Sequence, residues 1–436
     1  MRPWLSSSAR LSVFAATALA LAACGGHNGA LPSTGSLPQS GSPGLASMAA
    51  KAPLATPAPV APFTEYITPT ANSGPNGITA GPDGNVWFTE YNTSIIGRVT
   101  PTGVITEYSG MNSMGEPFGI ATGADGALWF TESNGSGSCP RSGVGRITTS
   151  GVMTEYTAGI DPCSSPWGIA AGPDGNLWIA EHDSQMISKV STSGSVSNAA
   201  TLAPDTQPEV MVKGPDGNLW FTEGDGNKIG RITTGGVVTE FSVGITPGAG
   251  LFDITVGPDG NLWFTEFNTD TIGRITPLGV VTEFSAGITP GAGPNGIAKG
   301  SDGNLYFTEY NTGAIARITT TGAVTEFPVP TTASDANSGP NSNPNLIATG
   351  PDGNLWFTEY NDSKIVRAVP TLLGASPAPS PTPSVCAGDG DKDDQKKITD
   401  PDAKHGTDKD AKHGTDHNDK CKVEKPKKQK RPKDKD

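Results

Sequence analysis

Seven copies of one short apolar pattern recur along the chain. Each copy is close to GPDGNLWFTE and carries an aromatic residue at the same position. The seven aromatic residues are Trp87, Trp129, Trp178, Trp220, Trp263, Tyr306 and Trp356. Their spacings of 42, 49, 42, 43, 43 and 50 residues are typical of a repeat architecture rather than of several unrelated domains.

Each repeat predicts four short β-strands. In the fifth repeat they cover residues 253–256, 261–266, 271–276 and 280–284, which are rich in β-branched and aromatic residues. An Asp-Gly pair between the first and second strands predicts a tight hairpin. Four strands at this period predict one blade of a β-propeller.

The two ends of the array predict how the ring closes. Residues 63–66 match the fourth strand of a repeat, whereas the seventh repeat supplies only three strands and ends near residue 369. We therefore predict an all-β fold, a seven-bladed β-propeller of four-stranded blades over residues 62–372. The N-terminal strand would complete the last blade and remove its open edge.

Residues 1–23 predict a signal peptide of the lipoprotein type. Arg2 and Arg10 lie before or at the start of an apolar stretch of about 13 residues, which is too short to span a bilayer. The sequence Leu21-Ala22-Ala23-Cys24 resembles a bacterial lipobox. We therefore expect lipidation at Cys24 and a membrane-anchored, extracytoplasmic protein of a bacterial cell envelope, in the periplasm or on the surface. The alternative is ordinary cleavage that leaves Cys24 as a free thiol.

Three further segments flank the predicted propeller. Residues 24–61 predict a flexible linker, residues 373–385 a Pro/Ala/Ser linker, and residues 386–436 a disordered, charged tail. The remaining cysteines predict two disulfides, since export permits them. The predicted pairs are Cys139 with Cys163, in loops of the propeller, and Cys386 with Cys421, in the tail.

The composition excludes some classes of function. The 57 Gly and 38 Pro residues favour a turn-rich fold over a helical bundle. Between residues 63 and 370 there are 12 Lys/Arg and 30 Asp/Glu, a balance that repels a phosphate backbone. Nucleic acid is therefore excluded as a partner of the propeller. A cation, a cationic ligand or a neutral polar ligand is favoured, with a small molecule or an envelope component as the partner of a monomer.

Strand direction predicts which side chains share a face. If the Asp-Gly hairpins lie on one face, named the bottom face, the second strands end on the opposite, top face. They end there in a repeated glutamate: Glu90, Glu132, Glu181, Glu223, Glu266, Glu309 and Glu359. Either these glutamates form a carboxylate ring, or each of them satisfies backbone amides nearby. The residues that open the first strands form a predicted ligand-binding ring: Asn76, Phe118, Trp167, Glu209, Asp253, Asn295 and Asn345.

The unit GPDGNLWFTE…IGRIT…VTEF resembles the streptogramin B lyases (virginiamycin B lyase), over the whole of residues 62–372. The resemblance implies a seven-bladed propeller that opens a cyclic depsipeptide by β-elimination at its ester. It also implies a histidine general base and a Mg²⁺ ion that two glutamates hold against the carbonyl.

The family's motif can be carried over residue by residue. It opens a first strand with Glu-Pro-His-Gly and has a second Glu 16 residues after the first. This chain has Glu116-Pro117-Phe118-Gly119 followed by Glu132, so Glu116 and Glu132 are the implied Mg²⁺ ligands. Phe118 and Asn76 stand at the two histidine positions. His182 is the only histidine of the predicted propeller and is a candidate replacement base; alternatively it faces solvent.

These observations favour an exported propeller that binds a ligand or partner through an acidic top face, because both of the family's histidines are replaced. The alternative is a metal-assisted carbon-oxygen lyase that opens a cyclic depsipeptide or lactone. A second alternative is a structural protein of the cell envelope.

Overall fold

The propeller consists of seven antiparallel sheets arranged around one axis. The computed structural model describes residues 62–111, 115–133, 142–330 and 342–374. These residues form 28 strands in seven four-stranded sheets, together with one short 3₁₀ helix, Pro370–Leu372. The predicted all-β, seven-bladed β-propeller is confirmed. Within the described ranges, no helix has the length and apolar character needed to cross a membrane.

Each blade takes its strands in chain order from the axis outward, except the blade that closes the ring. The N-terminal strand β1 is Phe63–Ile67. Blade 1 contains β2 (Pro75–Ala80), β3 (Val86–Glu90), β4 (Ile95–Val99) and β5 (Ile105–Tyr108). Blade 2 contains β6 (Glu116–Thr122), β7 (Leu128–Ser133), β8 (Gly143–Ile147) and β9 (Met153–Tyr156). Blade 3 contains β10 (Pro166–Ala171), β11 (Leu177–Glu181), β12 (Met186–Val190) and β13 (Val196–Thr201). Blade 4 contains β14 (Pro208–Lys213), β15 (Leu219–Glu223), β16 (Lys228–Ile232) and β17 (Val238–Phe241). Blade 5 contains β18 (Leu251–Val256), β19 (Leu262–Glu266), β20 (Thr271–Ile275) and β21 (Val281–Phe284). Blade 6 contains β22 (Pro294–Lys299), β23 (Leu305–Glu309), β24 (Ala314–Ile318) and β25 (Val324–Pro328). Blade 7 contains β26 (Pro344–Thr349), β27 (Leu355–Glu359) and β28 (Lys364–Ala368), with β1 as its outermost strand.

The Asp-Gly pairs form the hairpins between first and second strands, as predicted. In blade 1, Gly84 adopts φ = 77°, a left-handed conformation that costs glycine little. Asp83 accepts hydrogen bonds from the Asn85 amide (3.2 Å) and from Trp87 Nε1 (3.0 Å). The same indole-to-aspartate bond occurs in five other blades, and Tyr306 Oη takes its place in blade 6. Each hairpin therefore also positions the large aromatic side chain of its second strand.

The aromatic residues of the second strands fill the space between neighbouring blades. Trp87 and Phe88 are fully buried and, as neighbours in β3, point to opposite faces of blade 1. Trp87 stacks on Tyr108 with ring centroids 5.4 Å apart, and both pack into a cluster with Phe130 of blade 2. A cluster of this kind lies at each of the seven junctions, including the one between blades 7 and 1. The hydrophobic core is therefore a ring of interfaces between blades.

A threonine of the second strand connects the inner strands of neighbouring blades. Thr89 Oγ1 accepts a hydrogen bond from the Gly77 amide (2.8 Å) and donates one to the Phe118 carbonyl of blade 2 (2.8 Å). We call this pair of bonds the threonine strap. The hydroxyls that make it at five other junctions belong to Thr131, Thr222, Thr265, Thr308 and Thr358. In blade 3 the position is Ala180, which has no hydroxyl to form the strap.

The N-terminal strand closes the ring, as predicted. β1 pairs with β28 over its whole length, from Phe63 opposite Ala368 to Ile67 opposite Lys364. Lys364 Nζ lies 3.1 Å from Glu65 Oε2, and the lysine side chain is only 1% exposed. A buried ion pair therefore joins the two ends of the propeller. Blade 4 contains the matching pair in an exposed setting, since Lys228 Nζ lies 2.5 Å from Glu240 Oε2 with both side chains about 30% exposed.

The Lys364→Met substitution should destabilise the closed ring. The substitution removes the buried cation that Glu65 contacts. Removing one partner of a buried ion pair typically lowers the free energy of unfolding by about 3 kcal/mol. Lys228→Met is the matched control, because exposed pairs contribute less than about 1 kcal/mol. The measurement is the free energy of unfolding in urea. Equal losses for the two variants would show that the buried pair does not hold the ring closed.

Candidate functional site

A pocket lies around the propeller axis at the top face. Its volume is about 440 Å³, and every blade contributes one side chain from near the start of its first strand. These seven residues are Asn76, Phe118, Trp167, Glu209, Phe252, Asn295 and Asn345. We call this cavity the central pocket. Its location at the end of the strands opposite the Asp-Gly hairpins agrees with the predicted top face.

A bulge in each first strand determines which side chain reaches the pocket. In blade 1, Pro75 pairs with Glu90, but the next pair is Ile78 with Phe88, so one extra residue is accommodated between them. The same irregularity occurs in all seven blades. Asn76 lies within the bulge and lines the pocket, while the next amide, that of Gly77, is held by the threonine strap.

Six of the seven residues predicted for the ligand-binding ring line the central pocket, and Asp253 is not among the lining residues. In blade 5, Leu251 takes the place of the proline and pairs with Glu266. Phe252 is therefore the residue equivalent to Asn76, and Phe252 lines the pocket. The sequence analysis chose the residue one position too late because blade 5 lacks the proline that marks the start of the first strand in the other six blades.

Asp253 is buried next to the pocket floor and binds backbone. Its two carboxylate oxygens accept hydrogen bonds from the amides of Ile254 and Ile297, each at 2.8 Å. Burial raises the pKa of Asp253 to about 7, although the two amide bonds favour the ionised form. The second amide belongs to blade 6, so Asp253 connects two blades rather than facing a ligand.

An aromatic wall forms one side of the pocket. Phe118 stacks on Trp167 with ring centroids 4.8 Å apart, and Trp167 stacks on His182 at 4.0 Å. Tyr91 meets the other end of this stack edge-on, 6.2 Å from Phe118. All four side chains line the pocket. Because each ring is held by its neighbours, the wall is preorganised for contact with an apolar or aromatic ligand group.

His182 lies in the wall and does not face solvent. Its side chain is buried, with the residue only 3% exposed, and Nδ1 lies 2.7 Å from Asp183 Oδ1. A carboxylate at Nδ1 holds the proton on that nitrogen and leaves the Nε2 lone pair as an acceptor. The hydrogen bond to His182 helps to hold the pKa of Asp183 below its usual value even though burial acts in the opposite direction. The side chain therefore has the arrangement of a histidine base oriented by a carboxylate.

Blade 4 leaves space at the pocket at the position that follows its repeated glutamate. The position after the repeated glutamate is aromatic in blades 1, 5, 6 and 7 but is Gly224 in blade 4. A Cβ atom at Gly224 would lie 2.1 Å from Glu209 Oε1, so the carboxyl group occupies the space that a side chain at this position would take. Asp225 follows Gly224 and also lines the pocket. Blade 4 thus places two acidic side chains at the cavity.

A row of amides forms the floor between blades 6, 7 and 1. Asn295 Nδ2 donates to Asn345 Oδ1, and Asn345 Nδ2 donates to Asn76 Oδ1 at 3.1 Å. All three residues are buried and line the pocket. The row links three blades and provides directional donors and acceptors beside the aromatic wall.

The repeated glutamates lie at the top ends of the second strands but do not line the central pocket. Each is at most 1% exposed, so they are buried within the blades rather than forming a surface ring. In several blades the carboxyl group accepts a hydrogen bond from a hydroxyl three residues later, as from Thr269 to Glu266 Oε2 (3.1 Å). Side-chain hydroxyls, rather than the backbone amides of the alternative prediction, are thus the partners of Glu266 and its equivalents in these blades.

Burial keeps most of these glutamates protonated at neutral pH. Burial, followed by repulsion from Glu283 of the fourth strand, raises the pKa of Glu266 to about 8. The pKa values of three equivalent residues are also raised to about 8, again mainly by burial: Glu90, Glu223 and Glu359. The top face is therefore less acidic than the count of its carboxyl groups suggests.

The register separates the two glutamates that the family resemblance implies as metal ligands. Glu116 lies opposite Ser133, whereas Glu132 lies opposite Pro117. Side chains that are one step apart in a ladder point to opposite faces of the sheet, so the carboxyl groups of Glu116 and Glu132 do not converge. Burial raises the pKa of the Glu116 carboxyl, and a hydrogen bond from Tyr91 partly offsets this. Across the described ranges, no group of three or more His, Cys, Asp or Glu side chains could hold a metal ion. The register therefore gives no support to a Mg²⁺ ion shared by Glu116 and Glu132. Their role as its ligands stays a prediction, and the cofactor enters no step below.

Several predictions concern residues outside the described ranges. These are the signal peptide, lipidation at Cys24, the N-terminal linker, the charged tail and the Cys386–Cys421 disulfide. Cys163 lies in the loop before β10, but Cys139 is also outside the described residues. Both disulfides therefore stay predictions.

Several pocket residues escaped the sequence analysis. They follow the second strands or lie in the loops that lead into the first strands, and they are Tyr91, Gln207, Asp225, Asn227, Phe267 and Asn268. The two positions after the repeated glutamate carried a usable signal, since they combine an aromatic residue with Asn in blades 1, 5, 6 and 7. The corresponding pair His182-Asp183 departs from that pattern in blade 3.

Comparisons with known proteins agree with this fold over most of its length. The model of the virginiamycin B lyase family matches residues 49–161 and 157–370. A streptogramin B lyase structure is 32% identical, with 70% of this chain and 96% of that chain covered and a TM-score of 0.63. Virginiamycin B lyase from Staphylococcus aureus is 34% identical, covering 70% and 99%, with a TM-score of 0.63. A catalytically inactive variant of that enzyme with quinupristin is also 34% identical over 70% and 99%, with a TM-score of 0.62.

The buried glutamates should make the propeller more stable in mild acid than at neutral pH. The folded state keeps the proton of Glu266 up to about pH 8, whereas the unfolded chain releases it near 4.5. The folded state therefore binds more protons between these values, and the free energy of unfolding falls as pH rises through this window. Below this window, the free energy of unfolding instead falls as pH decreases. Burial raises the pKa of Asp83, but hydrogen bonds from Asn85 and Trp87 outweigh it and hold the pKa under 3.8. Urea unfolding at pH 4 to 9 should place the maximum near pH 4–5.

Glu266→Gln tests this assignment. The amide retains the shape of the protonated glutamate but cannot ionise, so the variant should gain stability relative to wild type as pH rises from 5 to 8. Asp205→Asn, which changes an exposed acid, is the control and should leave the pH profile unchanged. Parallel profiles for wild type and Glu266→Gln would contradict a raised pKa at this residue.

Proposed function

We propose, on the premise that this chain belongs to the virginiamycin B lyase family, that it binds a small organic ligand in the central pocket. The pocket is the observation that carries the proposal. Its volume of about 440 Å³ lies within the range of small-molecule sites. It combines the apolar wall of Phe118, Trp167 and His182 with a few directional polar groups, which is the usual composition of such sites.

Two features favour binding over the family's reaction. By the family motif, the residues at the histidine positions are Phe118 and Asn76, and neither side chain can act as a general base. The carboxyl groups of Glu116 and Glu132 point to opposite faces of their blade. Both the base and the metal site that the family resemblance implies would therefore have to be replaced for elimination to occur.

A second candidate, a carbon-oxygen lyase, is favoured by the geometry of His182. With Asp183 at Nδ1, Nε2 is the remaining proton acceptor of a side chain that lines the pocket. In an elimination, Nε2 would take the proton from the carbon next to the substrate carbonyl. The electrons of that C–H bond would form a carbon-carbon double bond, and the ester C–O bond would break to release a carboxylate. The product would be an isomer of the substrate.

Quinupristin is the test ligand for both functions, since the structure of a related enzyme was determined with it. We expect the full-length protein to bind it in titration calorimetry, and Trp167→Ala to weaken binding about tenfold or more because the wall loses its central ring. Leu278→Ala, at a residue that is 89% exposed and outside the pocket lining, is the control. Equal binding by Trp167→Ala and wild type would contradict the pocket assignment.

Incubation followed by chromatography with mass detection separates the two functions. Binding without a new peak supports a binding protein. A new peak of unchanged mass that is lost in His182→Gln supports the lyase. A new peak that His182→Gln retains would exclude His182 as the base.

We further propose that the protein is exported and anchored by a lipid at Cys24. The motive is the short apolar stretch that ends in Leu21-Ala22-Ala23-Cys24. Cys24→Ser should abolish incorporation of labelled palmitate and move the protein from the detergent phase to the aqueous phase. Labelling that persists in Cys24→Ser would contradict lipidation at this residue.

A further inference from the structure

We infer that the central pocket recognises the carbonyl group of a neutral ligand with an aromatic body, and that Asn76 donates the hydrogen bond that selects it. This inference rests on the proposed function and specifies the class of ligand. It follows from three observations: the direction of the hydrogen bonds among three buried asparagines, the backbone contacts that hold Asn76, and the aromatic rings beside it.

The three asparagines at the pocket floor donate in one direction around the axis. Asn295 Nδ2 of blade 6 donates to Asn345 Oδ1 of blade 7, and Asn345 Nδ2 donates to Asn76 Oδ1 of blade 1 at 3.1 Å. We call these three side chains the amide row. Each has one carbonyl oxygen and one NH₂ group. A row with this direction ends in the NH₂ group of Asn76.

Both oxygen atoms of Asn76 already accept hydrogen bonds. Oδ1 accepts from Asn345, and the backbone oxygen accepts from Thr358 Oγ1 at 2.9 Å. Among the residues that the structure describes, none accepts a hydrogen bond from Asn76 Nδ2. Asn76 is 1% exposed and lines the pocket, so Nδ2 is the side-chain group that remains for a ligand. An acceptor atom on the ligand would satisfy this donor, whereas an apolar ligand would leave it buried without a partner.

Two threonine straps hold the backbone at Asn76. Thr358 of blade 7 bonds its carbonyl group, and Thr89 of blade 1 bonds the following amide, that of Gly77, at 2.8 Å. A Cβ atom at Gly77 would lie 2.2 Å from the Phe118 carbonyl oxygen, so the first strands of blades 1 and 2 approach closely at this point. The side chain is thus held through its backbone by the straps and at Oδ1 by the amide row. A donor that is already ordered in this way loses little entropy when a ligand binds.

Asn76 lies next to the aromatic wall. In ring order, Asn76 of blade 1 is followed by Phe118 of blade 2, and both line the pocket. Tyr91 of blade 1 also lines the pocket and meets Phe118 edge-on, with ring centroids 6.2 Å apart. A ligand whose carbonyl group is attached to an aromatic ring matches this arrangement, because its ring contacts the wall while its oxygen accepts from Asn76.

Three neutral probes of nearly equal shape test this inference. Acetophenone has a carbonyl acceptor, α-methylstyrene has a methylene group in place of the oxygen, and N-methylaniline has an N–H donor. Binding to the full-length protein is measured by saturation-transfer NMR titration at neutral pH, in wild type and in Trp167→Ala. We expect acetophenone to bind about tenfold more tightly than either of the other probes, because it supplies the acceptor for Asn76 Nδ2.

Two substitutions at Asn76 remove the donor in different ways. Asn76→Asp retains the shape of the side chain and the acceptor for Asn345 but replaces the NH₂ group with an oxygen atom. It should reverse the preference, so that N-methylaniline binds more tightly than acetophenone, a result that a general loss of folding would not produce. Asn76→Leu has neither a donor nor an acceptor in its side chain, so it should bind acetophenone and α-methylstyrene equally.

The control is Asn198→Asp, the same chemical change at an exposed residue on the outermost strand of blade 3. Asn198 lies outside the pocket lining, so the preference for acetophenone should remain. A preference that survives in either Asn76 variant, or is lost equally in Asn198→Asp, would overturn the role of Asn76.

The outcomes separate the inference from the proposed function. If α-methylstyrene or N-methylaniline binds wild type as tightly as acetophenone, and binding is lost in Trp167→Ala, the inference fails and ligand binding in the pocket stands. If no probe gives a saturation transfer that depends on Trp167, both the inference and the proposed function are overturned.

Discussion

At six of the seven junctions, one threonine hydroxyl connects the scaffold of this propeller to its pocket. Thr89 accepts a hydrogen bond from the amide that follows Asn76 and donates one to the carbonyl of Phe118 in the next blade. These two bonds hold the bulge of one first strand and the pocket residue of its neighbour. Because the bonds involve only backbone groups, the pocket side chain can be Asn, as at Asn76, or Phe, as at Phe118, without loss of the strap. The strapped backbone is thus constant, while the side chains that line the pocket vary.

The blade that lacks the strap also departs from the repeat at the pocket. Ala180 replaces the threonine in blade 3, and His182 takes a position that is aromatic in four other blades. Across that junction, blade 4 contributes Glu209. Local departures from an otherwise consistent pattern are expected where function, rather than folding, determines the residue. The stack of His182 on Trp167, 4.0 Å apart, adds contact between side chains in the blade that lacks the hydroxyl.

The fold could be predicted from the sequence because the information is repeated seven times. The Asp-Gly hairpin, the aromatic second strand and the glutamate recur at nearly constant spacing, so an error in one blade is corrected by the others. The pocket could be predicted less completely, since its lining residues differ from blade to blade and no second copy checks them. Asp253 shows the consequence: Leu251 replaces the marker proline, and the bulge shifts the alternation of side chains by one residue. Burial of the repeated glutamates was also missed, because a charged residue at the end of a strand resembles a solvent-exposed one until the fourth strand and its neighbouring loop cover it.

The charge of the pocket follows from the same division between frame and lining. Each hairpin needs a carboxylate to accept the indole or phenol proton, and that acid draws the cation of the third strand toward the bottom face, as Asp125 does with Arg146 at 2.7 Å. The repeated glutamates contribute little negative charge at neutral pH, because burial raises the pKa of residues such as Glu266 to about 8. The carboxyl groups that line the pocket therefore belong to residues that the repeat does not determine, Glu209 and Asp225 of blade 4. A change at either position can alter the lining of the pocket while leaving the straps, hairpins and blade interfaces intact.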